Sequence, residues 1–396
     1  MKSVAVVLMQ FPQPSETFAS GDIKSLYSSV DSLSVHPLRL KTKKTDGLIK
    51  ERELDNIPIY NLSYIQFFKS LLCMFFSFKK LFFLLNVICF ENGACSFKER
   101  IKQVILLPSV FYQFNHLKKI QPDIIHLFWG HYPSLLGILV KKYMENCKLS
   151  TFLGAYDLEL DLPVTRKCLL SSDFVFTHTN GNRNIIKNKY NVDAKVIYRG
   201  FDFNKYKAFI SLNVKKDPFL ICSVGRLIKE KGFDDVINVF SKIFKNDSRY
   251  RLLIIGDGPY KNELVKLSVS SNCDKSITFL GHLSHEDTMF YIGSSTFFIF
   301  MSYYKGERLP NVVKEAMALS TVSIVSQTQD IQELITDKTD GFIVNQRDVN
   351  AAVDVFDALS NYRAIDFLEL QRKGVVKISS KFSLDNSVRT LLNTWF

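Results

Sequence analysis

Two glutamates, Glu307 and Glu315, stand eight positions apart in the stretch Lys305-Gly-Glu-Arg-Leu-Pro-Asn-Val-Val-Lys-Glu-Ala-Met-Ala318. Proline at the first helical position presets φ and gives up no needed donor, so a helix is expected to start near Pro310. Glu307 then lies in the loop ahead of that helix and Glu315 inside it. The free N–H groups of a first helical turn favour anionic oxygen, which makes this corner suitable for a phosphate. Ionised carboxylates beside it are strong acceptors for vicinal hydroxyls. Phosphate and hydroxyls in one place outline a sugar nucleotide. Paired glutamates are also common on solvated helices, so the neighbouring residues decide between the two readings.

Those neighbours carry cations at a tight turn. In Phe219-Leu-Ile-Cys-Ser-Val-Gly-Arg-Leu-Ile-Lys-Glu-Lys-Gly-Phe233 a strand delivers Gly225, which allows close backbone approach. Arg226 and Lys231 follow before a helix that begins near Phe233. Arg251–Tyr260 reads as another strand with a Gly-rich turn, and Ile277-Thr-Phe-Leu-Gly-His282 as a strand whose loop could meet a nucleobase. Thr296–Ser302 is the strand feeding the Glu307 loop.

Taken together, Glu307-x7-Glu315 with Leu309-Pro310-Asn311, Glu315-Ala-Met-Ala318 and the Gly-Arg-Leu…Glu-Lys-Gly-Phe element resemble glycosyltransferase family 4. The resemblance implies an α/β protein of two Rossmann-like domains facing a cleft, the GT-B type. It implies retaining chemistry on a nucleotide-sugar donor, with Glu315 on the ribose, Glu307 on the sugar, and Arg226 and Lys231 on the diphosphate. Gly225, His282, Leu309, Pro310 and Asn311 complete the expected donor site. No protein nucleophile is visible, so the resemblance implies same-face attack with the leaving phosphate as base. No cofactor or metal is expected. Beyond Ala318 the pattern departs from the family: Leu319-Ser-Thr-Val-Ser323 replaces Cys-Gly-x-Pro-Val, and Gln329-Asp-Ile-Gln-Glu333 replaces Gly-Gly-x-x-Glu. Arg308 replaces a glycine after Glu307. Lost glycines at a donor pocket imply a remodelled pocket or an altered sugar preference.

The first half continues the strand–helix alternation. Met1–Met9 reads as a first strand rather than a signal peptide, because the apolar run flows into Gln10-Phe11-Pro12 without a cleavage pattern. Phe11-Pro-Gln-Pro-Ser-Glu-Thr-Phe18 resembles the start of family members that assemble polysaccharides. Ser15 or Thr17 could cap a helix from about Phe18, and Glu16 is the acceptor-side candidate. Pro122–Trp129 and Leu149–Ala155 read as strands, Ser134–Lys142 and Asn182–Tyr190 as helices, and Phe174–Thr179 as a further strand. After Leu149–Ala155, a strand-end loop carries Asp157, Glu159 and Asp161. Three alternating carboxylates invite a metal reading, but such groups are usually solvated. Asp157 matches the family's His-x-Tyr-Asp pattern and is its catalytic candidate, whereas Gly154 stands where the family's histidine, normally near the reacting sugar, would be.

Composition bounds the alternatives. The chain has 396 residues, 46% hydrophobic and 23% charged, which favours a globular protein of two domains. Seven scattered cysteines, an odd number without Cys-x-x-Cys, argue for free thiols in a reducing compartment. The net charge is +12, and residues 1–120 hold 16 Lys+Arg against 9 Asp+Glu, an excess of 7. Within that third, residues 65–90 are rich in phenylalanine, with Lys69, Lys79 and Lys80 leaving uncharged runs too short to span a bilayer. Docking on a membrane surface and packing as helices beneath the first sheet both remain open. No nucleic-acid module accompanies the charge.

The expected organisation is an acceptor domain over 1–205, rejoined by a C-terminal helix within 380–396, and a donor domain over 215–379. Residues 203–218 form the expected linker. The expected function is a cytoplasmic hexosyltransferase-like enzyme, with peripheral docking at the inner membrane face left open as above. It would move sugar to a lipid-linked glycan acceptor in capsule, O-antigen or exopolysaccharide assembly. A non-catalytic sugar-nucleotide-binding protein and a nucleotide-sugar epimerase are the alternatives.

Overall fold

The computed structural model describes residues 2–13, 16–91, 95–203, 206 and 215–396, together with the backbone but not the side chain of Thr17. The chain divides into two compact units. Residues 1–200 and 384–396 form the first, and residues 201–383 form the second.

In the first unit, β1 (Ser3–Leu8), α1 (Thr17–Tyr27), β2 (Ser32–Pro37) and α2 (Thr45–Glu51) precede three longer helices, α3 (Tyr64–Phe76), α4 (Phe78–Phe90) and α5 (Phe97–Ile120). Then come β3 (Ile124–Leu127), α6 (Ser134–Tyr143), β4 (Lys148–Leu153), α7 (Ala155–Leu160), α8 (Pro163–Ser171), β5 (Phe174–Thr177), α9 (Asn180–Tyr190) and β6 (Lys195–Val196). The strands form one parallel sheet in the order β2-β1-β3-β4-β5-β6. Side chains alternate across a strand, so a sheet covered on both faces requires apolar residues at every position. β1 shows this directly. Val4, Val6 and Leu8 enter the core that holds α1, while Ala5 and Val7 enter the opposite core with α5 and α6. The helix Leu384–Trp395 packs on α1 and belongs to this unit, as the resemblance implied. Its Trp395 is 2% exposed and donates its indole N–H to Ser150 Oγ at 3.0 Å.

The second unit has β7 (Asp217–Val224), β8 (Arg251–Ile255), β9 (Ile277–Gly281), β10 (Ser295–Phe300), β11 (Val322–Ser326) and β12 (Phe342–Val344). They too are all parallel, in the order β12-β11-β10-β7-β8-β9. Numbered within the unit, this is the doubly wound Rossmann order, with β7 and β10 at the point where the winding reverses. In the first sheet the reversal falls between β1 and β3. Ligands of such sheets bind outside the carboxyl ends of the strands at that point.

Several elements differ in detail from the sequence reading. The helix after Pro310 runs Asn311–Ala318, and Pro310 is its cap residue with ψ 130° rather than its first turn. Its carbonyl accepts the Lys314 N–H at 3.3 Å, which starts the helix all the same. β7 takes in Asp217 and Pro218, which the sequence reading gave to the linker. Asp217 pairs with Ser295 and its carbonyl accepts Thr296 Oγ1 at 2.7 Å. Of the remaining linker, 204–205 and 207–214 lie outside the described residues, as does Ser15, one of the two cap candidates for α1. Asp157 and Glu159 sit on the short helix α7 instead of a loop, with Asp161 as its left-handed C-terminal cap, because Asp157 turns back to accept the Gly154 N–H at 2.6 Å.

Residues 65–90 fold as α3 and α4, bent by 96° at Ser77. Met74, Leu84, Val87 and Ile88 pack into the core beneath the first sheet, while the opposite faces stay exposed.

Two buried histidines make the first unit sensitive to acid. His36 is fully buried, with Nδ1 facing Gln113 Oε1 at 2.8 Å and Nε2 facing Ser34 Oγ at 2.9 Å. Burial pushes its pKa from 6.5 down to about 4, partly offset by the Gln113 bond. His126, buried beside Ser150 and Trp395, is pushed to about 3 by burial and then by the Arg199 charge. Both folded values lie below the unfolded one, so the unfolded chain binds these protons more tightly. The contribution is therefore complete above pH 6.5 and lost as pH falls through about 4. Denaturant midpoints measured over this window should drop, and the drop should shrink in a His36→Gln/His126→Gln variant; an equal drop in the variant would refute the assignment.

Candidate functional site

The donor-side residues converge on the reversal point of the second sheet. The loop after β7 carries Gly225, Arg226 and Lys231, and the loop after β10 carries Glu307. The two loops are tied by Tyr303 N–H donating to the Glu230 carbonyl at 2.9 Å. Gly232, with φ +67°, lets the turn press against β10's continuation, since a Cβ there would lie 2.0 Å from the Met301 carbonyl oxygen. Gly225 is less constrained, its hypothetical Cβ meeting only the Phe233 ring at 3.4 Å. The tight partner is Gly256, whose φ of +136° brings it onto the Gly225 carbonyl.

Lys231 and Glu307, both predicted, form an ion pair with each other, with side-chain exposures of 19% and 13%. Ser302 Oγ lies 3.4 Å from Glu307 Oε2, and the Lys231 ammonium rests 5.5 Å from the Phe300 ring. A cation and a carboxylate that neutralise each other at a loop junction are positioned to part for a ligand carrying both phosphate and hydroxyl groups. Arg226 is exposed and makes no ion pair among the described residues.

Glu315 heads a second cluster. Its Oε1 lies 3.2 Å from His285 Nε2 and 3.4 Å from the Tyr206 hydroxyl, and these two partners are 3.1 Å apart. Burial, then the Glu315 charge and hydrogen bond, hold the Tyr206 hydroxyl far above its usual pKa, so it is a donor. His282, the predicted residue, is exposed just after Gly281, and His285, three positions on, is the histidine that reaches Glu315. The sequence signal was available in Ser284, which caps the helix His285–Ser294 by accepting the Asp287 N–H at 3.1 Å and so sets His285 at its first position. Leu309 and Pro310 are buried, and Asn311 is exposed and bonded to Lys314 Nζ at 3.3 Å.

The two departures from glycine in this loop region face each other. Arg308 is 8% exposed, donates to the Lys305 carbonyl at 2.7 Å, and lies 3.7 Å from Asp330. Asp330 has φ +68°, the left-handed conformation that glycine adopts at no cost. The pair thus fills with charge a space that glycines would leave open, and braces the loop of Glu307.

In the first unit, Glu16 follows β1, and Trp129 and His131 follow β3, on either side of that sheet's reversal point. Glu16 is raised by burial, opposed by the Arg199 and His131 charges and by a hydrogen bond from the Trp129 side chain. Asp157 is 1% exposed and accepts His131 Nδ1 at 2.6 Å. A Cβ on Gly154 would meet the Trp129 ring at 2.8 Å. The indole therefore occupies the space that the family's histidine would need. Arg199, absent from the sequence reading, lies 4.0 Å from the Trp129 ring centre and 4.5–4.7 Å from those of Phe18, Phe128 and Phe152. Burial lowers it to about 10, with Asp22, Glu16 and Asp157 opposing, so it stays charged at neutral pH.

Two doubly wound parallel sheets, with paired charges at the reversal point of the second, define a glycosyltransferase enzyme of the GT-B architecture. Residues 204–372 match the family pattern of the glycosyl transferases of group 1. It is 24% identical over 297 residues to an uncharacterized glycosyltransferase of Haemophilus influenzae, covering 75% of each chain. It is 26% identical over 216 residues to the N-acetylgalactosamine-N,N'-diacetylbacillosaminyl-diphospho-undecaprenol 4-alpha-N-acetylgalactosaminyltransferase of Campylobacter jejuni, covering 53% of this chain and 56% of that one. Among solved structures it is similar to Anabaena Alr3699/HepE in complex with UDP, with a TM-score of 0.71, 15% identity, and coverage of 100% and 99%.

The Arg308–Asp330 pairing has a direct test. Arg308→Ala removes the cation 3.7 Å from the largely buried Asp330 carboxylate and should cost roughly 3 kcal/mol of unfolding free energy. Adding Asp330→Gly should return about 1 kcal/mol or more, by removing that carboxylate and its left-handed strain. Costs that simply add in urea denaturation would show that the two do not interact.

Proposed function

We propose that the enzyme transfers a sugar, with retention of configuration, from a nucleoside-diphosphate sugar to a lipid-linked glycan in surface-polysaccharide assembly. The observation that carries the donor half is the pair of clusters around Glu307 and Glu315 at the β7/β10 reversal point. In this reading Glu315, presented by His285 and Tyr206, receives the ribose hydroxyls, and Glu307 receives the sugar. Lys231 and Arg226 hold the diphosphate and stabilise its charge as the glycosidic bond breaks, an electrostatic contribution that is usually the largest in such chemistry. The leaving phosphate takes the acceptor's proton on the same face. The first unit binds the acceptor near Glu16 and Asp157. No resident metal is required by this scheme. The Anabaena protein's complex with UDP supports a uridine donor, and the diphospho-undecaprenol in the Campylobacter enzyme's name supports a lipid-linked acceptor.

The same reading places the enzyme at the cytoplasmic face of a membrane. Phe68, Leu72, Phe75, Phe76, Phe78 and Phe82 are each at least 62% exposed on α3 and α4, interspersed with exposed Lys69 and Lys79. Exposed apolar area concentrated on one bent pair of helices is unusual for a protein surface that faces only water. No single described helix is long and apolar enough to cross a bilayer, and an aromatic face edged with lysines suits the interface, each lysine adding about 1 kcal/mol near anionic lipid.

Two experiments test these halves separately. A thermal-shift panel of UDP-, GDP-, CDP- and ADP-sugars should stabilise the wild type with one nucleotide, by about 2.7 kcal/mol at 100 times the dissociation constant, and Glu315→Ala should abolish the shift. A shift that survives Glu315→Ala would refute the ribose assignment. In flotation assays the wild type should rise with phosphatidylglycerol vesicles and far less with phosphatidylcholine. Phe75→Ser/Phe76→Ser/Phe78→Ser should stay at the bottom, and flotation of this variant at wild-type levels would remove the membrane from the scheme.

A further inference from the structure

We infer that His131 is the residue of the first unit that hydrogen-bonds a sugar hydroxyl of the acceptor through Nε2, with Asp157 behind it as its positioning group. This rests on the glycosyl-transfer reading and names the part of the acceptor site that the sequence pattern did not supply.

Three of the described histidines of the first unit differ in a telling way. His36 is fully buried, and each of its ring nitrogens faces a protein partner. His126 is 2% exposed, with Nδ1 on Ser150. His131 has one nitrogen committed and one not. Nδ1 lies 2.6 Å from Asp157 Oδ1, while Nε2 makes no hydrogen bond to any described residue, and the side chain keeps 11% exposure. A carboxylate offers only acceptors, so Nδ1 carries a proton toward Asp157, and Nε2 is the ring nitrogen left for a ligand. Asp157 cannot swing away readily, since its other oxygen is held by the Gly154 N–H at 2.6 Å and its side chain is 1% exposed. The ring is further set by Tyr132 and Tyr156, with centroids 5.1 and 5.8 Å away.

The surroundings select the ligand's chemistry. Glu16, whose charge acts on His131, offers a second acceptor. The nearby cation, Arg199, is engaged with Asp22 and sits among four aromatic rings. An imidazole nitrogen and a carboxyl group together suit a ligand whose groups both donate and accept, which fits sugar hydroxyls, and the carboxyl group disfavours a phosphate. Tyr156, 57% exposed and edge-on to His131, adds an aromatic ring against which the apolar side of a pyranose can rest. The location, on the loop after β3 at the sheet's reversal point, is where a ligand of this fold binds.

The test compares wild type, His131→Ala, His131→Gln and Asp157→Asn. Transfer is followed from labelled UDP-sugars to the total membrane lipid extract of the source cells, beside slow donor hydrolysis by water and the nucleotide thermal shift. His131→Ala should lower transfer on the order of 10- to 100-fold, the cost of an unmet hydrogen bond, with hydrolysis and nucleotide shift unchanged. His131→Gln, whose amide oxygen can accept, should recover part of the loss. Histidine-selective nitrogen NMR should find the His131 proton on Nδ1 in wild type and a mixed tautomer in Asp157→Asn. Transfer by His131→Ala at the wild-type rate, a parallel fall in hydrolysis, or a wild-type Nδ1 that carries no proton would each overturn the assignment. Absence of any nucleotide shift in wild type would instead defeat the transferase reading. That failure is told apart because the tautomer is read without donor.

Discussion

The constraint on which the rest depends is the reversal of winding in an all-parallel sheet. Parallel strands need crossover helices, and those helices must cover both faces. Where the order turns back, between β1 and β3 in one sheet and between β7 and β10 in the other, the helices leave in opposite directions and a crevice opens at the strand ends. The residues that matter follow from that geometry. Glu16 and His131 flank one reversal, and Lys231 and Glu307 flank the other, although each pair is far apart in sequence. Burial of both sheet faces supplies the rigidity, since the strands cannot slip register without moving against two cores.

This explains which parts were legible in the sequence. The strand runs announce themselves because both faces are buried, and the Glu307/Glu315 spacing lies on one loop and one short helix, so it is local. The clusters are not local. His285 reaches Glu315 across 30 positions and Tyr206 across 109, and nothing in the periodicity of either segment marks the meeting. His131 was hidden for a different reason. The family pattern puts its histidine at position 154, where the Trp129 ring leaves no room for a side chain. Element edges moved by a residue or two where a single hydrogen bond decided them, as at Pro310 and Asp217.

Departures from a family pattern read differently once they are seen in pairs. Arg308 and Asp330 each replace a small residue, and each supplies what the other needs. Gly154 stands opposite Trp129, whose ring fills the space that a side chain at 154 would need. Glu307 is braced in the first case, and Asp157 holds the imidazole of His131 in the second.

The order of the chain adds a consequence for synthesis. The second unit is inserted whole, as residues 201–383, between the sheet of the first unit and the helix that covers it. During translation residues 201–383 can complete their own core while the earlier sheet still lacks the Trp395 indole that meets Ser150. The half made first is therefore the half finished last. Until the helix Leu384–Trp395 arrives, Val4, Val6 and Leu8 lack the cover of Val388, Leu391 and Trp395 on one face, and the nascent chain carries a partly open apolar sheet past the ribosome.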